Sequence, residues 1–232
     1  MHILVTRPLE DGQEIAARLA ARGHQALLAP LLEPRFHDGP RLEEQSDLDK
    51  VQAVLATSAN GVRALVRRTV RRDLPVFAVG PQTAEEAQRA GFADVRSADG
   101  DAVALAKATM GWASRDGVLL HICSDDAPGT LAETLGAEGF RVRRCPLYSI
   151  EPAGALPADA RTALQAGALD AVMFFSPRTA RLFGALADGL PTDRLVALCI
   201  SAATAEALAP MRFTRIAVAD RPNQQAMLAL VE

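Results

Sequence analysis

Four short polar turns recur along the chain, each between an apolar run and a segment of helical period. They are Thr57-Ser58-Ala59-Asn60, Gly80-Pro81-Gln82-Thr83, Ser176-Pro177-Arg178-Thr179 and Ser201-Ala202-Ala203-Thr204. Each turn is predicted to begin a helix, where unpaired backbone N–H groups and the positive end of the helix dipole favour an anion. Ser and Thr are equally common as purely structural N-caps, and proline as a first helical residue. Recurrence of the turn at four strand ends favours a carboxylate-binding role.

Two further side chains have types and positions suited to this chemistry. Tyr148 is the only tyrosine, and a phenol can donate a proton to a leaving group, although its ring could equally just pack on its strand. Arg7 follows the first apolar run and is placed to meet an anion. The predicted catalytic residue is Tyr148, and the predicted binding residues are Arg7, Ser58, Ala59, Asn60, Thr83, Ser176, Pro177, Arg178 and Thr204.

Other polar residues are assigned to structure. Arginines 63, 67, 68, 71 and 72 recur at helical spacing, and we expect a solvated basic face. His121 and Cys123 alternate on one strand face, which indicates packing more than a metal site. The chain has no glycine-rich nucleotide motif, nucleophile elbow or H-E-x-x-H motif. We therefore predict neither a metal nor a cofactor.

The composition argues against several classes of partner. Acidic residues number 28 and basic residues 25, so the net charge of −3 does not favour nucleic acid. The three cysteines are widely spaced, which fits a reducing compartment. No signal peptide is visible, and the apolar runs are too short to span a membrane. We expect a soluble cytoplasmic protein, monomeric, with a small-molecule substrate.

The elements that must position these residues alternate between strand and helix, which predicts an α/β fold with parallel sheets. The predicted strands are residues 3–6, 25–29, 53–57, 76–79, 118–122, 142–148, 171–175, 195–198 and 215–218. In open sheets of this class, ligands bind at the carboxyl ends of the strands. All four polar turns are predicted to lie there.

The chain also contains an internal repeat. Residues 53–58 match residues 171–176, and residues 19–24 match 135–140, each of which places a Gly where a helix should end. The repeat predicts two similar lobes. The proline-bounded segments 30–37 and 145–152 are equivalent and could pair as a connector, which would exchange pieces between the lobes, but the local pattern alone does not exclude two sequential lobes.

Several motifs, in this order and spacing, resemble the uroporphyrinogen-III synthase family over nearly the whole chain. They are Ile3-Leu4-Val5-Thr6-Arg7-Pro8, Thr57-Ser58-Ala59-Asn60-Gly61-Val62, Ala78-Val79-Gly80-Pro81-Gln82-Thr83-Ala84, Pro146-Leu147-Tyr148, Phe174-Phe175-Ser176-Pro177 and Ala203-Thr204-Ala205. The resemblance implies two flavodoxin- or Rossmann-like lobes joined by a two-stranded β-ladder, with an interdomain cleft. It also implies the exchanged arrangement: residues 1–32 with 153–232 in one lobe, 38–144 in the other, and 33–37 with 145–152 as the ladder.

The same resemblance implies a function. Members of the family cyclise hydroxymethylbilane to uroporphyrinogen III with inversion of ring D and loss of water, without a cofactor, in tetrapyrrole and haem biosynthesis. By this likeness Tyr148 assists departure of the hydroxyl group. Residues Ser58, Thr83, Ser176 and Thr204 would hold the carboxylate arms of the substrate, partly through neighbouring backbone N–H groups.

Two departures from the family pattern keep a second interpretation open. Ile200-Ser201 stands where a glycine is common, and Ile122-Cys123-Ser124-Asp125 stands where Arg-Gly often follows the strand. Asp125 and Asp126 would repel carboxylates. The alternative is a noncatalytic two-lobed module that binds a tetrapyrrole or a small anion as a sensor.

Overall fold

The computed structural model describes residues 1–45 and 48–231, and this part of the chain alternates between strands and helices. The strands are β1 (His2–Val5), β2 (Gln25–Leu28), β3 (Leu32–Phe36), β4 (Val51–Ala56), β5 (Val76–Ala78), β6 (Val95–Ser97), β7 (Val118–Ser124), β8 (Arg141–Pro152), β9 (Ala171–Phe174), β10 (Val196–Cys199) and β11 (Arg215–Val218). The α-helices are α1 (Leu9–Ala20), α2 (Leu42–Gln45), α3 (Ala59–Arg68), α4 (Pro81–Arg89), α5 (Ala102–Trp112), α6 (Thr130–Ala137), α7 (Ala158–Gln165), α8 (Pro177–Leu186), α9 (Ala202–Glu206) and α10 (Gln224–Ala229). No helix in the described ranges has the length and apolar character needed to cross a membrane.

The chain folds into two compact units. Unit 1 consists of Met1–Glu33 and Glu151–Glu232, and unit 2 consists of Pro34–Ile150. Unit 1 contains a five-stranded sheet in the order β11-β10-β9-β1-β2. The second sheet has six strands in the order β3-β8-β7-β4-β5-β6. Each unit is therefore built around one central sheet.

Both sheets are formed mainly by parallel pairs. In unit 1, β1 pairs with β2 and β9, and β10 pairs with β9 and β11, all in parallel. In unit 2, β4 pairs with β5 and β7, and the pairs β5/β6 and β7/β8 are also parallel. Parallel strands need crossover connections, and helices supply them here. The predicted α/β class with parallel sheets is confirmed.

The sequence repeat reappears as a repeat of topology. Strands β9, β10 and β11 occupy the same places in the first sheet as β4, β5 and β6 in the second, and β1 and β2 correspond to β7 and β8. The first half of the chain therefore gives β1 and β2 to the five-stranded sheet and β4, β5 and β6 to the six-stranded sheet. The second half gives β7 and β8 to the six-stranded sheet and β9, β10 and β11 to the five-stranded sheet. The backbone bonds from His37 N to Leu147 O and from Ala153 N to Leu31 O, both 2.9 Å long, show that β3 and β8 run antiparallel.

Strand β6 was not among the predicted strands, and β3 was expected only through the resemblance, as the ladder strand of residues 33–37. Strand β6 is three residues long, lies at the edge of its sheet, and is only partly buried. Such a short edge strand has too little periodicity to be recognised from sequence. The nine predicted strands are all present, with ends shifted by a few residues.

Apolar side chains cover both faces of each sheet. In β1, Leu4 packs on the α7 and α8 side, whereas Ile3 and Val5 pack on the α1 and α10 side. In unit 2, one core forms against α3 and α4 and the other against α5 and α6. Burial on both faces explains why the central strands are continuous apolar runs. This packing fixes the strand ends that carry the polar turns.

Candidate functional site

The four polar turns lie at the carboxyl ends of strands, as the sequence predicted. They join β4 to α3 and β5 to α4 in unit 2, and β9 to α8 and β10 to α9 in unit 1. Because β4 pairs with β5 and β9 with β10 in parallel, the two turns of each unit share one sheet edge. That edge is the usual ligand-binding edge of an open α/β sheet.

Three of the four helices are capped by a serine side chain. Ser58 accepts a hydrogen bond from Gly61 N at 3.0 Å, Ser176 from Thr179 N at 3.1 Å, and Ser201 from Thr204 N at 3.3 Å. The fourth helix, α4, begins after Gly80 without a side-chain cap. Each cap satisfies one early N–H group and leaves those of the first two helical residues free of any bond within the helix. In α3 these two residues are Ala59 and Asn60.

The hydroxyl partner of the cap differs between the helices. In α8 and α9 the third helical residue is a threonine, and its Oγ1 lies 2.8 Å and 3.0 Å from the Oγ of Ser176 and Ser201 respectively. In α3 that position is Gly61, and Ser58 Oγ instead lies 2.8 Å from the phenolic oxygen of Tyr148. The hydroxyl group of Tyr148, the predicted catalytic residue, is thus the partner of the capping serine in α3, as a threonine hydroxyl is in α8 and α9.

Tyr148 combines a buried ring with a hydroxyl group that has a polar partner. Its exposed fraction is 5%, its ring belongs to the α3-side core, and the Phe36 ring centroid lies 6.4 Å away. Burial raises the pKa of the phenol above 10.0, hydrogen bonding with Ser58 and Ser124 opposes the rise, and the negative charge of Asp126 adds to it. The phenol is therefore protonated at neutral pH, as a proton donor must be.

Two predicted binding residues are placed less favourably. Thr83 and Thr204 are 5% and 0% exposed, and the Thr204 hydroxyl is bonded to Ser201. A buried threonine at the third helical position supports the start of the helix rather than offering its hydroxyl to a ligand. The residue that caps α9 is Ser201, which was not among the predicted site residues. Its position immediately before a helix, like that of Ser58 and Ser176, was the signal that could have identified it.

The charged and amide residues of the predicted site already have protein contacts. Arg7 forms an ion pair with Asp11, and its guanidinium lies 4.9 Å from the Phe175 ring centroid. Asn60 Oδ1 accepts a hydrogen bond from Arg63 at 2.9 Å. Arg178, in the first turn of α8 after Pro177, is exposed. A substrate carboxylate at Arg7 would therefore have to share the guanidinium with Asp11.

The expectation of a solvated arginine face after Asn60 was wrong for most of its members. Arg68 is 8% exposed and donates hydrogen bonds to the carbonyl groups of Pro40 and His37. Arg63 forms an ion pair with Glu86, and Arg72 donates to the carbonyl of Ala90. Helix α3 ends at Arg68, so Arg71 and Arg72 lie beyond it, and carbonyl groups distant in sequence determine that Arg68 is covered. Arg67 is exposed, with its guanidinium 4.4 Å from the Phe36 ring centroid.

His121 lies inside the α/β core of unit 2, as the packing interpretation predicted. It is 2% exposed, and neither ring nitrogen has a hydrogen-bond partner within the described residues. Burial, with the positive charge of Arg144, lowers the pKa of its imidazole to about 4. Within residues 1–45 and 48–231, no three His, Cys, Asp or Glu side chains group in a way that could hold a metal ion.

Comparison with known proteins identifies similar folds across the whole chain. The uroporphyrinogen-III synthetase of Helicobacter pylori 26695 matches with a TM-score of 0.67 and 16% identity, over 99% of this chain and 97% of that one. A mutant uroporphyrinogen III synthase from the extremely thermophilic bacterium Thermus thermophilus matches with a TM-score of 0.53 and 20% identity, over 100% and 97%. At these identities the likeness establishes the fold alone. A search of curated proteins gives no match.

The sequence itself provides the assignment to a family. The family model described as uroporphyrinogen-III synthase HemD matches residues 13–229, which include the four polar turns and Tyr148. Members of that family are enzymes of haem biosynthesis that act on a small tetrapyrrole substrate. With parallel α/β sheets and polar turns at the strand ends in agreement, the chain belongs to the uroporphyrinogen-III synthase family.

Proposed function

We propose that this protein is a lyase that cyclises hydroxymethylbilane to uroporphyrinogen III, with inversion of ring D and loss of water. The contact that carries the proposal is the 2.8 Å hydrogen bond between Tyr148 and Ser58 at the start of α3. It joins the one buried phenol to a helix start that favours anions. Family membership supplies the substrate class, and this contact supplies a place for the first chemical step.

Tyr148 acts as the general acid in that step. Its phenol donates a proton to the hydroxyl group of the substrate, which leaves as water while the pyrrole nitrogen assists, and an azafulvene forms as its N-protonated cation. The substituted carbon of ring D attacks the azafulvene, and the resulting spiro intermediate fragments and closes again at the free position. Loss of a ring proton restores the aromatic pyrrole, and the phenolate recovers that proton. The proton balance therefore closes without an added acid or base.

The helix starts bind the carboxylate arms of the substrate. Each unit contributes two starts with early N–H groups that have no partner within their helices. Helices α3, α4 and α8 have 10, 9 and 10 residues, whereas α9 has only five residues and a correspondingly weaker dipole. Carboxylate arms held at the two starts of a unit restrict the geometry of the substrate, and geometry is what separates ring inversion from the spontaneous closure to the type I isomer.

An isomer-resolved assay tests the proposal. Purified protein is mixed with freshly generated hydroxymethylbilane, and the products are oxidised and separated into type I and type III isomers. We expect mainly type III, and Tyr148→Phe should lower turnover by about tenfold or more while the protein stays folded. The control is the same reaction without protein, which gives type I. Type I alone at the spontaneous rate would reject catalysis and favour a noncatalytic binding module. Unchanged turnover in Tyr148→Phe would remove this residue from the mechanism.

A further inference from the structure

A basic cavity lies in unit 2, between the end of β3 and the last turn of α3. Its volume is about 350 Å³, and its charged and titratable lining residues are Arg35, His37, Asp38, Arg67 and Arg68. Three arginines therefore line this cavity together with a single acidic residue. That balance of charge favours an anionic ligand.

Arg68 builds one wall of the basic cavity. It is 8% exposed, and its guanidinium donates to the carbonyl oxygens of His37 at 3.4 Å and Pro40 at 2.9 Å. These bonds hold the segment that follows β3 against α3. The segment packs so closely that a β-carbon on Gly39 would lie 3.1 Å from an Arg68 nitrogen. Because the wall is already formed, a ligand that enters the cavity pays little for ordering it.

Arg67 differs from the other arginines that lie over aromatic rings. Within residues 1–45 and 48–231 there are five, and four also donate a hydrogen bond to a carboxylate or carbonyl oxygen, namely Arg7, Arg72, Arg96 and Arg115. The Arg67 guanidinium lies 4.4 Å from the Phe36 ring centroid, and in the described part of the chain it has neither a hydrogen bond nor an ion pair. Its side chain is exposed, so a ligand can reach it.

Phe36 connects the basic cavity to the candidate site. One ring contact of Phe36 is with the Arg67 guanidinium, and the other is with Tyr148, whose ring centroid lies 6.4 Å away. Phe36 also packs against the core that contains Tyr148. A single aromatic ring therefore separates the guanidinium from the tyrosine. An anion bound by Arg67 would lie within reach of a substrate whose hydroxyl group is at the phenol.

We propose that Arg67 is a substrate-binding residue, whose guanidinium over Phe36 binds a carboxylate arm of hydroxymethylbilane in the basic cavity. This inference rests on the proposed function. A guanidinium can donate two parallel hydrogen bonds to one carboxylate, and the ring beneath it restricts its orientation. The carboxylate arms do not react during cyclisation, so Arg67 binds the ground state and the transition state equally. It therefore contributes to KM and not to kcat.

The first test measures KM and kcat in the isomer assay. Arg67→Ala should raise KM by about tenfold with little change in kcat, and Arg67→Lys, which keeps only the charge, should fall between. The control is Arg115→Ala, which removes another exposed arginine, 5.0 Å from the Phe140 ring centroid and before the start of β7, at the opposite end of that strand from Tyr148. Its KM should match that of the parent protein. An unchanged KM in Arg67→Ala, an equal rise in Arg115→Ala, or a fall in kcat alone would overturn the proposal.

The second test measures binding without turnover. Uroporphyrin III, the oxidised form of the proposed product, carries the same acetate and propionate arms, and its fluorescence anisotropy in a protein titration gives Kd. Arg67→Ala should raise this Kd by about tenfold, whereas Arg115→Ala should match the parent. If the parent protein makes no type III isomer, the proposed function fails, while this titration still decides whether Arg67 binds a tetrapyrrole carboxylate. Binding that is equal in, or absent from, the parent and Arg67→Ala would reject that role.

Discussion

At the scale of single residues, the candidate site depends on hydroxyl groups more than on charged groups. The serine at the start of α3 both caps the helix and contacts the phenol, so one side chain links helix formation to the chemistry. The neighbouring arginines are mostly occupied by carbonyl groups and carboxylates of the protein. The proposed mechanism requires no uncommitted base, because the proposed reaction returns the proton that it takes. Such a mechanism relies mainly on substrate geometry.

His121 provides a residue-scale prediction about stability. Its pKa is about 4 in the folded protein and near 6.5 when unfolded, so the unfolded chain binds more protons between these values. The free energy of unfolding should therefore fall as the pH drops from 6.5 to 4, by up to about 3 kcal/mol from this group. Urea unfolding of unit 2, followed by the fluorescence of Trp112, should show this loss, and His121→Leu should remove it.

The control for this experiment is His24→Gln, which changes a partly exposed histidine of unit 1. That variant should keep the pH dependence of unit 2 stability. If His121→Leu loses as much stability over the same pH range as the parent protein, another group must be responsible for the slope.

At the scale of elements, each helix start has a structural and a binding task that mutation can separate. In Ser176→Ala, helix α8 loses the cap on Thr179 N, and the free energy of unfolding should fall by about 1 kcal/mol. Ser176→Asp restores a cap and suits the helix dipole, so stability should recover. Its carboxylate, however, occupies the place proposed for a substrate carboxylate, so KM for hydroxymethylbilane should rise well above that of Ser176→Ala.

Two measurements check this separation. Urea unfolding followed by far-UV circular dichroism gives the stability of each variant, and initial rates in the isomer assay give KM. A KM for Ser176→Asp equal to that of the parent would show that no substrate carboxylate binds at the start of α8. Failure of Ser176→Asp to regain stability would instead show that the cap geometry there tolerates only serine.

Much of this element structure was predictable from sequence. The turn at Ser58 and the proline-containing turn at Ser176 cap their helices as expected, because capping depends only on residues three or four positions apart. Burial of Thr83 and Thr204 and the cover over Arg68 were not predictable. Those features depend on groups that come close only when the helices pack.

At the scale of the whole molecule, the grouping of strands predicts that unit 2 can fold without unit 1. The apolar cores of unit 2 draw their residues from within that unit, and so do those of unit 1. A fragment of residues 34–150 should therefore fold alone and unfold cooperatively in urea, with the fluorescence of Trp112, packed edge-on against Phe77, as the signal.

A fragment of residues 1–116, the first repeat by sequence, is a control of similar length. It should not fold, because its strands β1 and β2 belong to one sheet and β4, β5 and β6 to the other. Cooperative unfolding of residues 1–116, with a disordered 34–150 fragment, would contradict the grouping into these two units.

The sequence by itself determined the α/β class, the repeat, most strands and the positions of the four polar turns, because these features depend on apolar periodicity and capping between near neighbours. The local pattern left open which strands of each repeat join which sheet, since both groupings satisfy it, and the tertiary structure gives the grouping. It also decided the contact between Ser58 and Tyr148, which lie 90 positions apart. Such a contact depends on strand order and register, which are fixed by the packing of the whole sheet rather than by any short stretch of residues.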